Sequence, residues 1–305
     1  MTDPRAGPRL GVDLPQIHEE APGNAATVRD FAVRAEELGF DACWVHEGAL
    51  GPVPSLEPVT LLGFVAAVTS RIRLGTSVVL ASLRLPLPLA RALATVDRLS
   101  EGRLVAGLAL GPTSAAATYG SADERPGERV GELVQVLRAA WDDDPVEHQG
   151  RRWGLAELSV QPKPFQRPGP QVWLGGRSGA ALRRAAVLGD GWLGSGVSSF
   201  EEFASDAAEL RSLVGAAGRS VGDVAVARRC YVVLGGDPRA VRDRHRGFFQ
   251  AIYGDGNLAA PALFVGTLAE LRAAIMRLGQ AGATDLILSF LERRDEHLEE
   301  LSQLL

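Results

Sequence analysis

Little in this chain favours a nucleic acid, a membrane or a metal. Basic charge is not in excess: 32 Lys and Arg stand against 37 Asp and Glu, a net charge of −5 at pH 7. That balance argues against a phosphate backbone or an anionic bilayer as the main partner, because either rewards a basic surface. Only two cysteines occur, Cys43 and Cys230. They form no C-x-x-C pair and no zinc spacing, and both read as buried strand residues. No run approaches the roughly 20 apolar residues that span a bilayer. The stretch Met1 to Arg9 has no apolar signal region, so a cytoplasmic protein acting on a small molecule is expected. Three motifs are also missing: no G-x-G-x-x-G opens the first helix, no H-E-x-x-H offers a zinc site, and no G-x-S-x-G offers a serine elbow.

What is present is alternation. With 305 residues, 46% of them hydrophobic, the chain can bury one large core. Eight short apolar runs read as strands: Leu10–Gln16, Ala42–Glu47, Ile72–Leu80, Arg103–Ala109, Gln171–Leu174, Gly191–Gly194, Val224–Leu234 and Asp285–Ser289. Helical spacing fills the intervals, over Ala25–Leu38, Glu57–Ser70, Leu87–Leu99, Glu128–Trp141, Gly179–Leu188, Phe200–Ala217, Pro238–Ile252 and Thr267–Gln280, with a last helix from Arg293 to Leu305. Gly39, Gly102, Gly189 and Gly282 sit where left-handed helix caps are expected. The runs Asp142-Asp143-Asp144 and Glu292 to Glu296 read as solvated helix ends.

Eight βα units favour a closed (β/α)8 TIM barrel, class α/β, forming a single domain over residues 1–305. Gly111–Gly127 carries no periodicity and follows the fourth strand, so in a barrel it is a loop of the C-terminal face, where active sites are built. Val146–Pro170, with Gln161-Pro162-Lys163-Pro164 and Pro168-Gly169-Pro170, suits an extended insertion before the fifth strand.

Particular segments are recognisable. Gly39-Phe40-Asp41-Ala42-Cys43-Trp44-Val45, Arg73-Leu74-Gly75-Thr76-Ser77-Val78-Val79 and Asp97-Arg98-Leu99-Ser100-Glu101-Gly102-Arg103 come first. Gly150-Arg151-Arg152-Trp153, Pro162-Lys163-Pro164, Val172-Trp173-Leu174-Gly175-Gly176 and Ala186-Val187-Leu188-Gly189-Asp190-Gly191-Trp192 follow, then Val265-Gly266-Thr267 and Gly282-Ala283-Thr284-Asp285. In this order and spacing they resemble the luciferase-like monooxygenase superfamily over almost the whole chain. The resemblance implies a (β/α)8 barrel with an insertion before the fifth strand, binding FMN or the deazaflavin F420. The segment from Leu74 to Val79, with Gly75, looks like the F420-dependent branch. There a non-prolyl cis peptide backs the deazaflavin ring, here expected between Ser77 and Val78; an ordinary trans strand is the other reading.

A phosphate site has a physical argument as well. Gly175 and Gly176 end a strand, and Arg177 and Ser178 open a helix, so backbone N–H groups face outward at a helix N-terminus. A lone glycine pair is usually only a turn. Gly194-Ser195-Gly196 supplies a second small-residue turn on the next strand, and two such loops side by side can cradle one phosphate. Arg177 adds charge there or is simply solvated.

The chemistry is harder to read. In the family an acidic residue and then a histidine end the second strand. Glu47 falls on the acidic position, but Gly48 replaces the histidine. His46 lies one residue earlier and, by strand alternation, points to the other side from Glu47. His46 and Glu47 are the catalytic candidates. Sugar-phosphate dehydrogenases of the F420 branch carry a glutamate after the fourth strand, where this chain has Gly111-Pro112, so that activity is not expected. Asp13, Gln16, Trp44 and Tyr119 are the substrate-site candidates, with His18, Thr113 and Ser114 nearby; Trp44 and Trp192 also read simply as core. Three functions stay open: F420-dependent hydride transfer with a small organic molecule, an FMN-dependent monooxygenase, and a cofactor-binding barrel without chemistry, the last suggested by Gly48 and Pro112. A homodimer is expected by analogy with relatives that pair through barrel helices. The apolar stretches Leu61–Val68 and Leu87–Val96 suit such an interface or packing on their own barrel.

Overall fold

A computed structural model describes residues 7–16, 24–48, 54–111, 113–118 and 123–305. Eight parallel strands close on themselves: β1 (Arg9–Asp13), β2 (Ala42–Val45), β3 (Arg73–Thr76), β4 (Leu104–Ala109), β5 (Gln171–Gly175), β6 (Gly191–Gly194), β7 (Ala225–Leu234) and β8 (Asp285–Phe290). Hydrogen-bonded neighbours run in that order, and β8 returns to β1, which makes a (β/α)8 barrel. The major outer helices are α1 (Ala25–Leu38), α2 (Pro58–Val68), α3 (Pro86–Leu99), α4 (Pro126–Asp142), α5 (Gly179–Leu188), α6 (Phe200–Ala216), α7 (Leu268–Gln280) and α8 (Arg294–Leu301). Side-chain oxygens fix where several begin. Asn24 caps α1, Ser178 caps α5, and Ser199 with Glu202 and Thr267 with Glu270 form capping boxes on α6 and α7.

Strand alternation sorts the residues into an outer apolar face and a lumen face. The lumen is filled in layers. At its N-terminal end the Asp285 carboxylate bonds the guanidinium groups of Arg9 (2.7 Å) and Arg73 (2.8 Å). Above them Trp44 and Trp173 lie 5.3 Å apart, both fully buried. Gly11 and Gly75 face the Trp44 indole so closely that a Cβ at either would collide with it. The tryptophan pair therefore depends on glycine in the strands beside it.

Several expectations are corrected. The run Ile72–Leu80 is not one strand: β3 stops at Thr76 and pairing to β4 resumes at Val79–Leu80, while the Ser77–Val78 peptide between them is cis as expected. Gly189 has φ −88° and is not left-handed, unlike Gly39, Gly102 and Gly282; a Cβ there would meet the carbonyl oxygens of Ala185 and Gly191. The helix read over Pro238–Ile252 breaks at His245 into Pro238–Arg244 and Arg246–Tyr253. A strand at Leu263–Gly266 then pairs with the end of β7, extending the sheet beyond the barrel. Within Gly111–Gly127 a short helix covers Thr113–Thr118. The insertion before β5 contains a two-stranded hairpin, Val146–Gln149 with Gly154–Leu158. Cys43 is buried but Cys230 is partly exposed.

Candidate active site at the C-terminal mouth of the barrel

The two sides of the mouth differ in chemistry. At the mouth itself the lumen-facing ends of β4 and β5 are small, Ala109 and Gly175. Gly175 at the end of β5 faces Ala109 and Val78, and a Cβ there would lie 3.1 Å from Ala109 and 3.3 Å from Val78. Gly176 follows at φ +133°, a conformation that favours glycine. The Trp192 indole N–H donates to the Gly176 carbonyl at 2.8 Å, tying the β5 and β6 loops together. Beyond β6, Ser195 Oγ accepts from the Val197 N–H at 3.3 Å, and Gly196 packs against the Arg229 side chain. Among the described residues, the backbone N–H groups of Arg177, Ser195 and Gly196 meet no protein acceptor. Helix α5 begins two residues after Arg177, so the Arg177 donor lies beside a positive helix end.

The other side, from β7 through β8, β1 and β2 to β3, is a polar arc. Arg229 on β7 is 7% exposed and is its hub. One guanidinium nitrogen bonds Asp13 and donates to Ser289 Oγ at 3.0 Å; the other donates to the Ser77 carbonyl at 2.8 Å and to Ser77 Oγ. Ser289 also donates to Asp13. Burial pushes the Asp13 carboxyl up, opposed first by Arg229 and then by the Ser289 hydroxyl. The same pairing keeps Arg229 firmly protonated. The second oxygen of Asp13 is buried without a partner, as is His46 Nδ1.

His46 follows β2 on the lumen-facing set with Ala42 and Trp44. Desolvation, then the positive charges of Arg229 and Arg294, lowers its pKa to about 3. The ring is therefore a neutral imidazole across the physiological range, able to donate one hydrogen bond or accept one without bringing charge. Its backbone is fixed by Gln16, whose side-chain amide donates to the His46 carbonyl at 2.7 Å while its oxygen accepts the His46 N–H at 2.8 Å. Gln16, proposed from sequence as a substrate residue, is fully buried in this task, with its third bond to the Leu56 carbonyl.

Other sequence candidates are also held elsewhere. The Glu47 carboxylate bonds Arg84 and the Leu80 N–H (2.7 Å), and its own N–H donates to the Val78 carbonyl. It staples the segment after the cis peptide and is occupied by that role. Trp44 belongs to the lumen core. The Arg177 guanidinium pairs with Glu202 at 2.8 Å and Asp206 at 3.1 Å, so the loop offers its backbone more readily than its charge. His18, Pro112 and Tyr119 lie outside the described residues. Arg229, Ser289 and Tyr231 escaped the sequence reading. The available signal was Arg228-Arg229, two charges inside an otherwise apolar strand run, which only a lumen-facing role for one of them explains.

Small residues with open backbone donors on one side, and orphaned buried polar atoms on the other, suit a flat ring carrying a phosphorylated tail. No group of three or more His, Cys, Asp or Glu side chains among the described residues has metal-site geometry, and no described helix is long and apolar enough to cross a membrane.

Known proteins resemble this chain to different depths. An F420-dependent glucose-6-phosphate dehydrogenase of Kineococcus radiotolerans is 34% identical over 216 residues, 67% of this chain and 62% of that relative. A phthiodiolone/phenolphthiodiolone dimycocerosates ketoreductase of Mycobacterium tuberculosis is 27% identical over 70% of this chain and 62% of its own length. The chain thus spans about six-tenths of these curated relatives. Among solved structures, a monooxygenase of Streptomyces bottropensis superposes with a TM-score of 0.79 at 25% identity, covering 97% of both chains. An F420-dependent secondary alcohol dehydrogenase reaches 0.85 at 15% identity, over 98% of both, a likeness of fold alone. The luciferase-like monooxygenase family profile matches residues 10–295, so the chain belongs to that family.

Proposed function

We propose that this barrel is an oxidoreductase that binds coenzyme F420 and uses it for hydride transfer to or from a small organic substrate. The observation that carries the reading is the division of the mouth, with open N–H groups at Arg177, Ser195 and Gly196 facing an arc whose unpartnered atoms belong to Asp13 and His46. The similarity to F420-dependent relatives supports the choice of deazaflavin. Gly175, Gly176, Arg177, Gly194, Ser195 and Gly196 would hold the phosphorylated tail, mainly through backbone donors. Ser77 and Val78 would lie behind the ring; Gly75, expected to share that role, instead makes room for the Trp44 indole beneath it. When bound, F420 supplies the hydride chemistry; the protein supplies orientation, dryness and a proton path. Neutral His46 donates a hydrogen bond to the substrate oxygen, and the Asp13 oxygen left free by Arg229 and Ser289 accepts one from a substrate hydroxyl.

A second reading, an FMN-dependent monooxygenase, is favoured by the 25% identical monooxygenase that superposes over nearly the whole chain. A homodimer is also proposed, through α2 and α3, where Leu85 and Leu99 are 63% and 59% exposed. One experiment separates the cofactor readings: titrate the purified protein with F420 and with FMN, then follow oxidation of each reduced cofactor with and without oxygen. F420 binding without FMN binding is expected. FMN binding with oxygen consumption would transfer the assignment to the monooxygenase, and binding of neither would leave a barrel without cofactor chemistry.

A further inference from the structure

Two tyrosines continue the polar arc toward solvent, and the sequence reading assigned them nothing. Tyr231 lies two residues beyond Arg229 on β7 and shares its lumen-facing parity. Its register partner on β8 is Ser289, the residue that bonds Asp13, and Asp13 stands one strand further on. Paired residues on neighbouring strands lie within about 5.5 Å of each other, so the Tyr231 backbone stands beside the Asp13–Ser289–Arg229 cluster, and its phenol feels the charges of Arg229 and Asp13. Tyr231 is 4% exposed, yet its hydroxyl is satisfied: it lies 2.5 Å from the hydroxyl of Tyr253. Tyr253 ends the helix Arg246–Tyr253 and is 38% exposed. The pair spans from a buried position at the mouth to the surface. Around it pack Phe248 and Phe249, both edge-on to Tyr231. The charged groups facing the two hydroxyls are Arg229 and Asp13.

A buried hydroxyl needs one partner, and a tyrosine core position is commonly filled by phenylalanine when none exists. Here two phenols supply each other, in line with a polar cluster that has unpartnered atoms.

We infer that Tyr231 and Tyr253 form a proton relay between the substrate oxygen at the barrel mouth and solvent. The inference rests on the proposed hydride transfer and specifies its substrate class as a carbonyl and carbinol pair. In the reducing direction, with a reduced deazaflavin bound as hydride source, the carbonyl carbon would gain the hydride while the carbonyl oxygen would take the Tyr231 phenolic proton and become a hydroxyl. Tyr231 regains its proton from Tyr253, and Tyr253 from water. The carbon–oxygen π bond is lost and a C–H and an O–H bond form; the proton drawn from solvent through the pair is matched by the ring N–H proton that the deazaflavin would release on becoming oxidised. Burial pushes the Tyr231 phenol upward, so at ordinary pH it carries the proton to be passed on. In the oxidising direction each step reverses.

The test uses the full chain and its Tyr231→Phe and Tyr253→Phe variants. F420 affinity is measured first by fluorescence titration, then turnover with a fixed panel of acetone, 2-propanol, cyclohexanone, cyclohexanol, benzaldehyde and benzyl alcohol, in H2O and D2O. The relay predicts turnover of at least one panel pair, unchanged F420 affinity in both variants, and kcat lowered by about 100-fold for Tyr231→Phe and about 10-fold for Tyr253→Phe. KM should change less than kcat, and the solvent isotope effect should grow in Tyr253→Phe as reprotonation becomes limiting. Unchanged kcat and isotope effect in both variants would overturn the relay. So would wild-type protein that binds F420 but turns over no panel member. Failure of the wild type to bind F420 instead overturns the proposed cofactor, a separate outcome.

Discussion

The two sides of the barrel mouth are built by opposite means. From β4 to β6 the chain clears space: Gly175 and Gly176 remove side chains, and backbone donors at Arg177, Ser195 and Gly196 remain open. From β7 round to β3 it fills space with a network in which Arg229 alone reaches Asp13, Ser289 and Ser77. The first side acts through what is absent and tolerates little added volume. The second acts through one buried cation and tolerates little lost charge. Affinity for the cofactor and competence for chemistry should therefore be separable by mutation.

The largest break is expected at the hub. Arg229→Met strands a buried Asp13 carboxylate and frees the Ser77 carbonyl, which should cost roughly 3–5 kcal/mol of folding stability in urea denaturation. Arg229→Met combined with Asp13→Asn should recover part of that loss, because no uncompensated charge remains. Additive losses would contradict a coupled network.

His46→Gln comes next and sharpens the separation of roles. It should lower kcat by about 100-fold while F420 affinity changes less than about 2-fold, measured by single-turnover kinetics and titration. The same variant carries a pH signature. A histidine whose folded pKa is lowered to about 3 stays neutral in the folded chain while its unfolded counterpart protonates below about 6.5. Its contribution to stability is fully present above the unfolded value and is lost as pH falls toward 3. Wild-type stability should therefore drop more steeply between pH 6.5 and 4 than that of His46→Gln; parallel curves would show that the ring is not desolvated.

On the other side, Gly175→Val adds volume beside Ala109 and Val78. Overpacking of about 1–3 kcal/mol directed at the bound state corresponds to roughly a 5- to 150-fold loss of F420 affinity. A variant with native affinity and impaired turnover would put the cofactor elsewhere. The smallest effect is expected at Glu47. Glu47→Gln loosens the bonds to Arg84 and Leu80 and should cost about 1–2 kcal/mol in stability, with kcat within about 3-fold of wild type; a loss of 100-fold would return Glu47 to the chemistry.

The same contrast explains what was legible in the sequence. All eight barrel strands were readable, because alternation over repeated βα units is a local signal. The glycine side was readable too, since Gly175-Gly176 and Gly194-Ser195-Gly196 are contiguous motifs next to strand ends. The polar arc was not, because its members come from β1, β2, β3, β7 and β8, which meet only when the barrel closes. Asp13 and His46 stand out singly in the sequence, and Arg229 goes unnoticed inside the run read as the Val224–Leu234 strand. Gln16 and Glu47 show a related ambiguity: polar residues at strand ends read as chemistry, and in the fold their side chains hydrogen-bond backbone. The break in the Pro238–Ile252 helix was equally hidden, since no proline or glycine marks His245.

The central claim is that F420 lies with its ring against Ser77 and Val78 and its phosphate at the β5 and β6 loops. The direct measurement is a crystal structure of the protein soaked with F420. The account predicts density for the ring between Val78 and the polar arc, with phosphate oxygens within hydrogen-bond reach of the Arg177, Ser195 or Gly196 N–H groups. A fully occupied cofactor whose phosphate lies away from all three donors would contradict it.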